Sequence, residues 1–161
     1  MTVSVISVVR PSGAIERMTR HRTGTAGTAN DPVRRYLKSR GVSSELIEGG
    51  LEAAVDRWNV ISKTAKTYDF TLDDWLNDMD LRDIIAGALA VAGEEERKAV
   101  SERLNKADHK LREATVETGS IWGSAMSGDL APDPKKAWWY FRRPSDPGET
   151  MQEDLEAAGL D

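Results

Sequence analysis

The sequence predicts a mainly α protein, an irregular bundle of about four to six helices, and three observations predict it. Apolar residues recur at three- and four-residue spacing through most of positions 31–126. Helix starts and stops are marked at Asp31-Pro32, Gly41, Ser43, Thr71 and Gly93. The 161 residues, 39% hydrophobic and 30% charged, suit one folded domain. A chain of this length buries roughly 68–70% of the surface that it exposes when unfolded. The expected layout is an N-terminal arm and flexible basic linker over 1–30, a helical domain over 31–144, and a tail with a short helix over 145–161.

Residues 2–9, Thr-Val-Ser-Val-Ile-Ser-Val-Val, are β-branched and partly alternating, which reads as a short strand. No basic region precedes them, so they do not read as a signal peptide. Residues 19–30 are rich in Thr, Gly and Ala, a linker composition, and Met18 just before them marks an alternative start.

The first helix follows, capped by Asp31, with Pro32 at its first position and Gly41 as its stop. Val33, Tyr36 and Leu37 share its inner face. The second helix should run from Ser43 or Ser44 to about Lys66, with Ile47, Leu51, Ala54, Val55, Trp58, Ile61, Ser62 and Ala65 on one stripe. Gly49-Gly50 within it reads as a close helix crossing.

Thr71 with Asp74 resembles a capping box and opens a third segment. Its first seam holds Leu72, Trp75, Leu76 and Met79, and its second Leu81, Ile84, Ile85, Ala88, Leu89 and Ala92. On one unbroken helix the nine-residue step from Leu72 to Leu81 turns the apolar face by roughly 180°. Either the helix is buried on both sides, or it breaks between Asn77 and Asp80; the break is the expectation.

Gly93 precedes a charged helix whose seam of Val100, Leu104, Ala107, Leu111 and Ala114 continues in phase through Thr118, Trp122 and Ala125. Trp58 and Trp122, both on apolar stripes, are expected to be buried. Residues 137–141, Ala-Trp-Trp-Tyr-Phe, read as a strand that pairs with 2–9. Trp138 and Tyr140 would then share one face and Trp139 and Phe141 the other, more exposed one. A helix from Thr150 to Ala158 closes the chain.

The composition removes several functions. No cysteine is present, so disulfides, thiolate nucleophiles and cysteine-ligated metals are excluded. Only His21 and His109 remain for imidazole chemistry, and His109 points away from its helix's seam. No apolar run is long enough to cross a bilayer, so no membrane role and a cytoplasmic location are expected. Ser120, Ser124 and Ser127 lie outside any Gly-x-Ser-x-Gly pattern, and Gly24 and Gly27 match no phosphate loop. No cofactor is expected and catalysis is disfavoured.

The charge is uneven. Residues 1–40 carry eight basic groups against Glu16 and Asp31, and the other 121 carry 14 basic and 25 acidic groups. In composition the chain resembles small acidic helical proteins such as bacterial immunity proteins and antitoxins, with no motif that carries residues over. The leading reading is therefore a non-catalytic protein-interaction module, an immunity or antitoxin-like neutraliser acting through an acidic helical surface, that binds another protein or itself. Its candidate partner-binding residues are Trp138, Trp139, Tyr140, Phe141, Arg142 and Arg143, aromatics and arginines being enriched at interface hot spots. One alternative is a nucleic-acid-associated protein using Arg17, Arg20, Arg22, Arg34, Arg35 and Lys38. Another is a metal-dependent hydrolase built on the 69–83 aspartate cluster through Asp73, Asp74, Asp78 and Asp80, although the EF-hand spacing fails there.

Overall fold

The computed structural model describes residues 30–123 and 131–161. Five helices are present among them: α1 (Pro32–Ser39), α2 (Ser44–Thr64), α3 (Leu72–Val91), α4 (Glu94–Ala114) and α5 (Glu149–Ala158). A 3-10 turn, Trp138–Phe141, and two short strands, β1 (Thr115–Glu117) and β2 (Arg142–Pro144), complete the fold. The protein is thus a mainly helical bundle with a small β element.

The caps stand where the sequence places them. The Asp31 side chain accepts from the Val33 amide, and Ser43 accepts from the Leu46 amide. Thr71 and Asp74 exchange both bonds of a capping box, satisfying amides that the helix leaves unpaired. The stripe of α2 is buried from Leu51 to Ala65, with Trp58 fully enclosed. Its most extensive partner is α4, whose Val100, Leu104, Ala107 and Leu111 are all buried.

The expected break in α3 does not occur: Leu72–Val91 is one helix. It is buried on both sides instead. Leu81, Ile85 and Ala88 belong to the side that packs on α1 and α2, whereas Trp75 donates from Nε1 to the Arg142 carbonyl (3.0 Å) in the C-terminal segment. That segment supplies the second layer which makes a helix with two apolar faces stable.

Gly50 also has a different role from the one expected. It sits at φ 64°, bending α2, and no atom lies within 4 Å of where a Cβ would stand. The backbone conformation, not a crossing, calls for glycine. The close approach occurs at Gly87 on α3, where a Cβ would run into the Tyr36 ring of α1.

Helix α4 stops at Ala114 and does not continue through Thr118 and Trp122. The chain turns extended at Thr115 and pairs antiparallel with β2, Thr115 opposite Pro144 and Glu117 opposite Arg142. Trp122 consequently lies beyond the helical seam. It is half-buried rather than buried, its ring 5.9 Å from that of Tyr140. Residues 2–9, the expected partner of the aromatic segment, lie outside the described residues.

The aromatic segment is not a strand. Residues 138–141 form a 3-10 turn, so alternate side chains do not take opposite faces. Trp139 and Tyr140 are buried, at 3% and 6% exposure, while Trp138 and Phe141 are half-buried. The expectation that Trp139 and Phe141 form the exposed pair therefore fails for Trp139. Four consecutive large aromatics fit such a turn because the C-terminal segment wraps the end of the bundle rather than adding a flat layer.

Helix α5 closes that end, with Met151 and Leu155 fully buried and Asp154 accepting from the Leu72 amide at the start of α3 (2.8 Å).

Trp58→Ala should lower unfolding free energy by about 3–5 kcal/mol in a urea titration, the cost of emptying a fully buried indole site. A loss under about 1 kcal/mol would show that the site is not core.

Candidate functional site

The polar centre of the fold is a charge pair. Arg82 of α3 donates from Nε and Nη2 to the two carboxylate oxygens of Asp108 on α4, both at 2.9 Å. Trp58 of α2 donates its indole N–H to the same carboxylate at 2.8 Å, and the Arg82 guanidinium lies 4.8 Å from the centre of the Trp139 ring. The two charged side chains are only 11% and 16% exposed. Their donors and acceptors are turned on one another, which makes the group a structural tie rather than a reactive one.

The six residues 138–143 are largely used inside the molecule. Arg142 donates to Thr115 Oγ1 and to the carbonyls of Arg112 and Thr115, closing the C-terminal end of α4. Burial lowers its pKa, and the nearby Glu117 carboxylate opposes that shift. The Arg112 guanidinium stacks on Trp138, 3.7 Å from the ring centre. Tyr140 donates to Asp80 (2.5 Å). Arg143 is half-buried and donates to the Pro144 carbonyl. A cleft of about 240 Å³ remains between Trp138, Phe141, Arg142, Arg112 and Glu117.

The aspartates of the 69–83 cluster do not converge. Asp69 accepts from the Thr150 amide and Asp74 caps α3. Asp78 takes the Tyr68 hydroxyl, Asp80 takes Tyr140, and Asp83 meets Arg40, while Asp73 is exposed. Among the described residues no three His, Asp or Glu side chains gather closely enough to hold a metal ion. His109 is exposed and meets Glu113 on its own helix, at 3.1 Å.

Partial burial raises the carboxyl pKa of both Asp78 and Asp80, and their tyrosine hydrogen bonds pull the other way. It also raises the pKa of the two phenols, reinforced by the carboxylates they face, so they stay protonated donors.

Of the basic residues, Arg34 is turned onto Asp31 and the Glu48 carbonyl. Arg35 and Lys38 are exposed on α1. Arg17, Arg20 and Arg22 lie outside the described residues.

One concavity was not singled out by the sequence. A groove of about 770 Å³ lies along α2 and α3, from Val42 and Leu46 to Ile61 and Asn77. Ile61 and Leu81 are its buried floor, and the half-buried Val42, Leu46 and Ile84 form its apolar walls. Glu45, Asp56, Arg57 and Asp78 line it; Asp56 is paired with Arg103 of α4 at 2.6 Å and Asp78 accepts from the Tyr68 hydroxyl, which leaves the exposed Glu45. The paired apolar residues Leu46-Ile47 and Ile84-Ile85 were the available signal, because adjacent apolar residues cover a wider arc than one core stripe needs.

No protein-family model, curated protein or solved structure matches the chain. The groove and its charge must carry the functional argument alone.

Two results are expected from this geometry. Arg82→Met and Asp108→Leu should each cost about 3–5 kcal/mol by leaving a buried charge unpaired, and the double variant less than the sum. Additive losses in a urea double-mutant cycle would refute the tie. For Asp80, a folded-state pKa above the unfolded one means the folded protein takes up a proton first as pH falls. The stability penalty of the charged carboxylate is thus full above the folded pKa and disappears towards the unfolded value near 4. Asp80→Asn should gain stability over the native protein between pH 4 and 7, progressively as pH rises; a pH-independent difference would contradict the shift.

Proposed function

We propose that this protein is a non-catalytic interaction module, a neutraliser of the immunity or antitoxin type, which binds a segment of another protein in the α2–α3 groove. The observation that carries the reading is the groove's pairing of apolar walls with the exposed carboxylate of Glu45. Leu46, Ile84 and Val42 offer contact area whose burial is favourable at about 25 cal/mol per Å². Glu45 selects the sign of what flanks the apolar contact, while Asp56 and Asp78 are held by Arg103 and the Tyr68 hydroxyl. The complementary ligand is a short amphipathic segment with two or three apolar anchors beside Lys or Arg. This is helix-in-groove or extended-peptide recognition, in which apolar anchors supply affinity and charge supplies register. The aromatic run supports the site from behind, since Trp139 holds Arg82 and Tyr140 holds Asp80 on α3.

The test uses the proteins encoded by neighbouring genes as probes in titration calorimetry, with duplex DNA in low salt beside them. One such protein should bind, and Leu46→Glu or Glu45→Lys should weaken it about tenfold or more with the thermal midpoint largely kept. Binding that ignores both substitutions overturns the groove reading. DNA binding lost on changing Arg17, Arg20 and Arg22 to alanine would favour the nucleic-acid alternative. A rise in melting temperature with magnesium, manganese or calcium would favour the metal-dependent one.

A further inference from the structure

We propose that the cleft at the C-terminal end of α4 binds a small planar carboxylate of the benzoate type, its acid group held by Arg112 and Arg142 and its ring by Trp138 and Phe141. The site is separate from the α2–α3 groove and does not depend on the role of that groove.

The cleft gathers its lining from four elements, each for a local reason. Arg112 stands in the last turn of α4. Strand pairing sets Arg142 of β2 opposite Glu117 of β1. A 3-10 turn has three residues per turn, so side chains at i and i+3 eclipse, and Trp138 and Phe141 come to the same face. Both are half-buried, which leaves aromatic surface for a flat ligand.

The two guanidiniums keep donors in hand. Arg142 spends Nε and Nη2 on Thr115 Oγ1 and on the carbonyls of Arg112 and Thr115. Its Nη1 faces the Glu117 carboxylate at 3.6 Å, longer than a hydrogen bond, and the Glu117 side chain is 89% exposed. Such a contact is weak and easily exchanged. Arg112 covers the Trp138 ring with the face of its guanidinium, and among the described residues no carboxylate pairs with it. Stacking occupies the face and leaves the N–H edge, where a carboxylate binds in plane through two parallel hydrogen bonds.

Charge and size select the ligand. Arg112 and Arg142 against Glu117 leave one positive charge in excess at the cleft, in a chain of formal net charge −5. A single carboxylate balances that excess, whereas a phosphate dianion beside Glu117 overshoots it. Burial lowers the Arg142 pKa, Glu117 opposes this, and the nearby Arg112 charge lowers it further, as two cations sharing one cleft require. The cleft holds about 240 Å³. An apolar cavity of about 150 Å³ accepts benzene, so one ring with a carboxylate fits here and a peptide segment does not.

The test titrates the full chain with benzoate, benzamide and inorganic phosphate at matched ionic strength, following the Trp138 indole N–H by NMR, with the signal assigned through Trp138→Phe. Benzoate should saturate with a dissociation constant of about 1 mM or below, and the other two should bind about tenfold more weakly or not at all. Arg112→Gln should weaken benzoate about tenfold with the thermal midpoint largely kept. Glu117→Gln, which removes the competing carboxylate, should tighten it about threefold, a gain that a folding defect does not mimic. No saturation up to about 50 mM, or equal affinity in Arg112→Gln and Glu117→Gln, overturns the proposal. Phosphate as tight as benzoate overturns it in favour of an unselective anion site, and benzamide as tight as benzoate in favour of an aromatic slot without a carboxylate role.

Discussion

The fold depends on the ion pair between Arg82 and Asp108. It is the point where α2, α3, α4 and the C-terminal aromatic turn meet, through Trp58, Arg82, Asp108 and Trp139 respectively. Burying two charges is expensive, and well-packed apolar residues in their place would often be as stable or more so. What the pair adds is register. A bidentate guanidinium–carboxylate contact tolerates little sliding of α3 against α4, whereas leucines and alanines tolerate much more. The indole N–H of Trp58 then fixes α2 against the same carboxylate.

That register sets up the groove. Helices α2 and α3 touch each other less extensively than α2 touches α4, and α2 bends at Gly50, near the groove's Leu46 and Ala53. Helix α3 is held from behind by the C-terminal segment, through the Trp75 bond to Arg142 and the Tyr140 bond to Asp80. With α3 anchored on its far side, its near side need not be fully covered by α2, and Leu46 and Ile84 remain partly in water. The apolar walls exist because the core is completed elsewhere.

Arg142 illustrates how residues that look like an interaction patch become structural. A helix that ends by turning into a strand leaves carbonyls without partners. The Arg142 guanidinium takes two of them, and the antiparallel pairing of Thr115–Glu117 with Arg142–Pro144 brings it there. The aromatic-plus-arginine signal that marks interface hot spots is equally the signal of a well-packed helix terminus, and composition does not separate the two.

The sequence by itself determined the helices and their caps, because these rest on local chemistry: Asp31, Ser43 and the Thr71–Asp74 box bond amides two or three residues away. It also determined the α2 stripe with Trp58 at its heart, since helical periodicity alone puts those residues on one face. Only the tertiary structure decided whether α3 breaks or is buried on both sides, because its second cover comes from residues 138–155, far along the chain. The same holds for the 3-10 turn, whose four aromatics carry no periodicity, and for the end of α4, where the sequence phase runs on but strand pairing and the Arg142 bonds take over. The groove was half legible, in the doubled apolar residues at 46–47 and 84–85. Its shape was not, because the space between two helices depends on their separation, which no local pattern records.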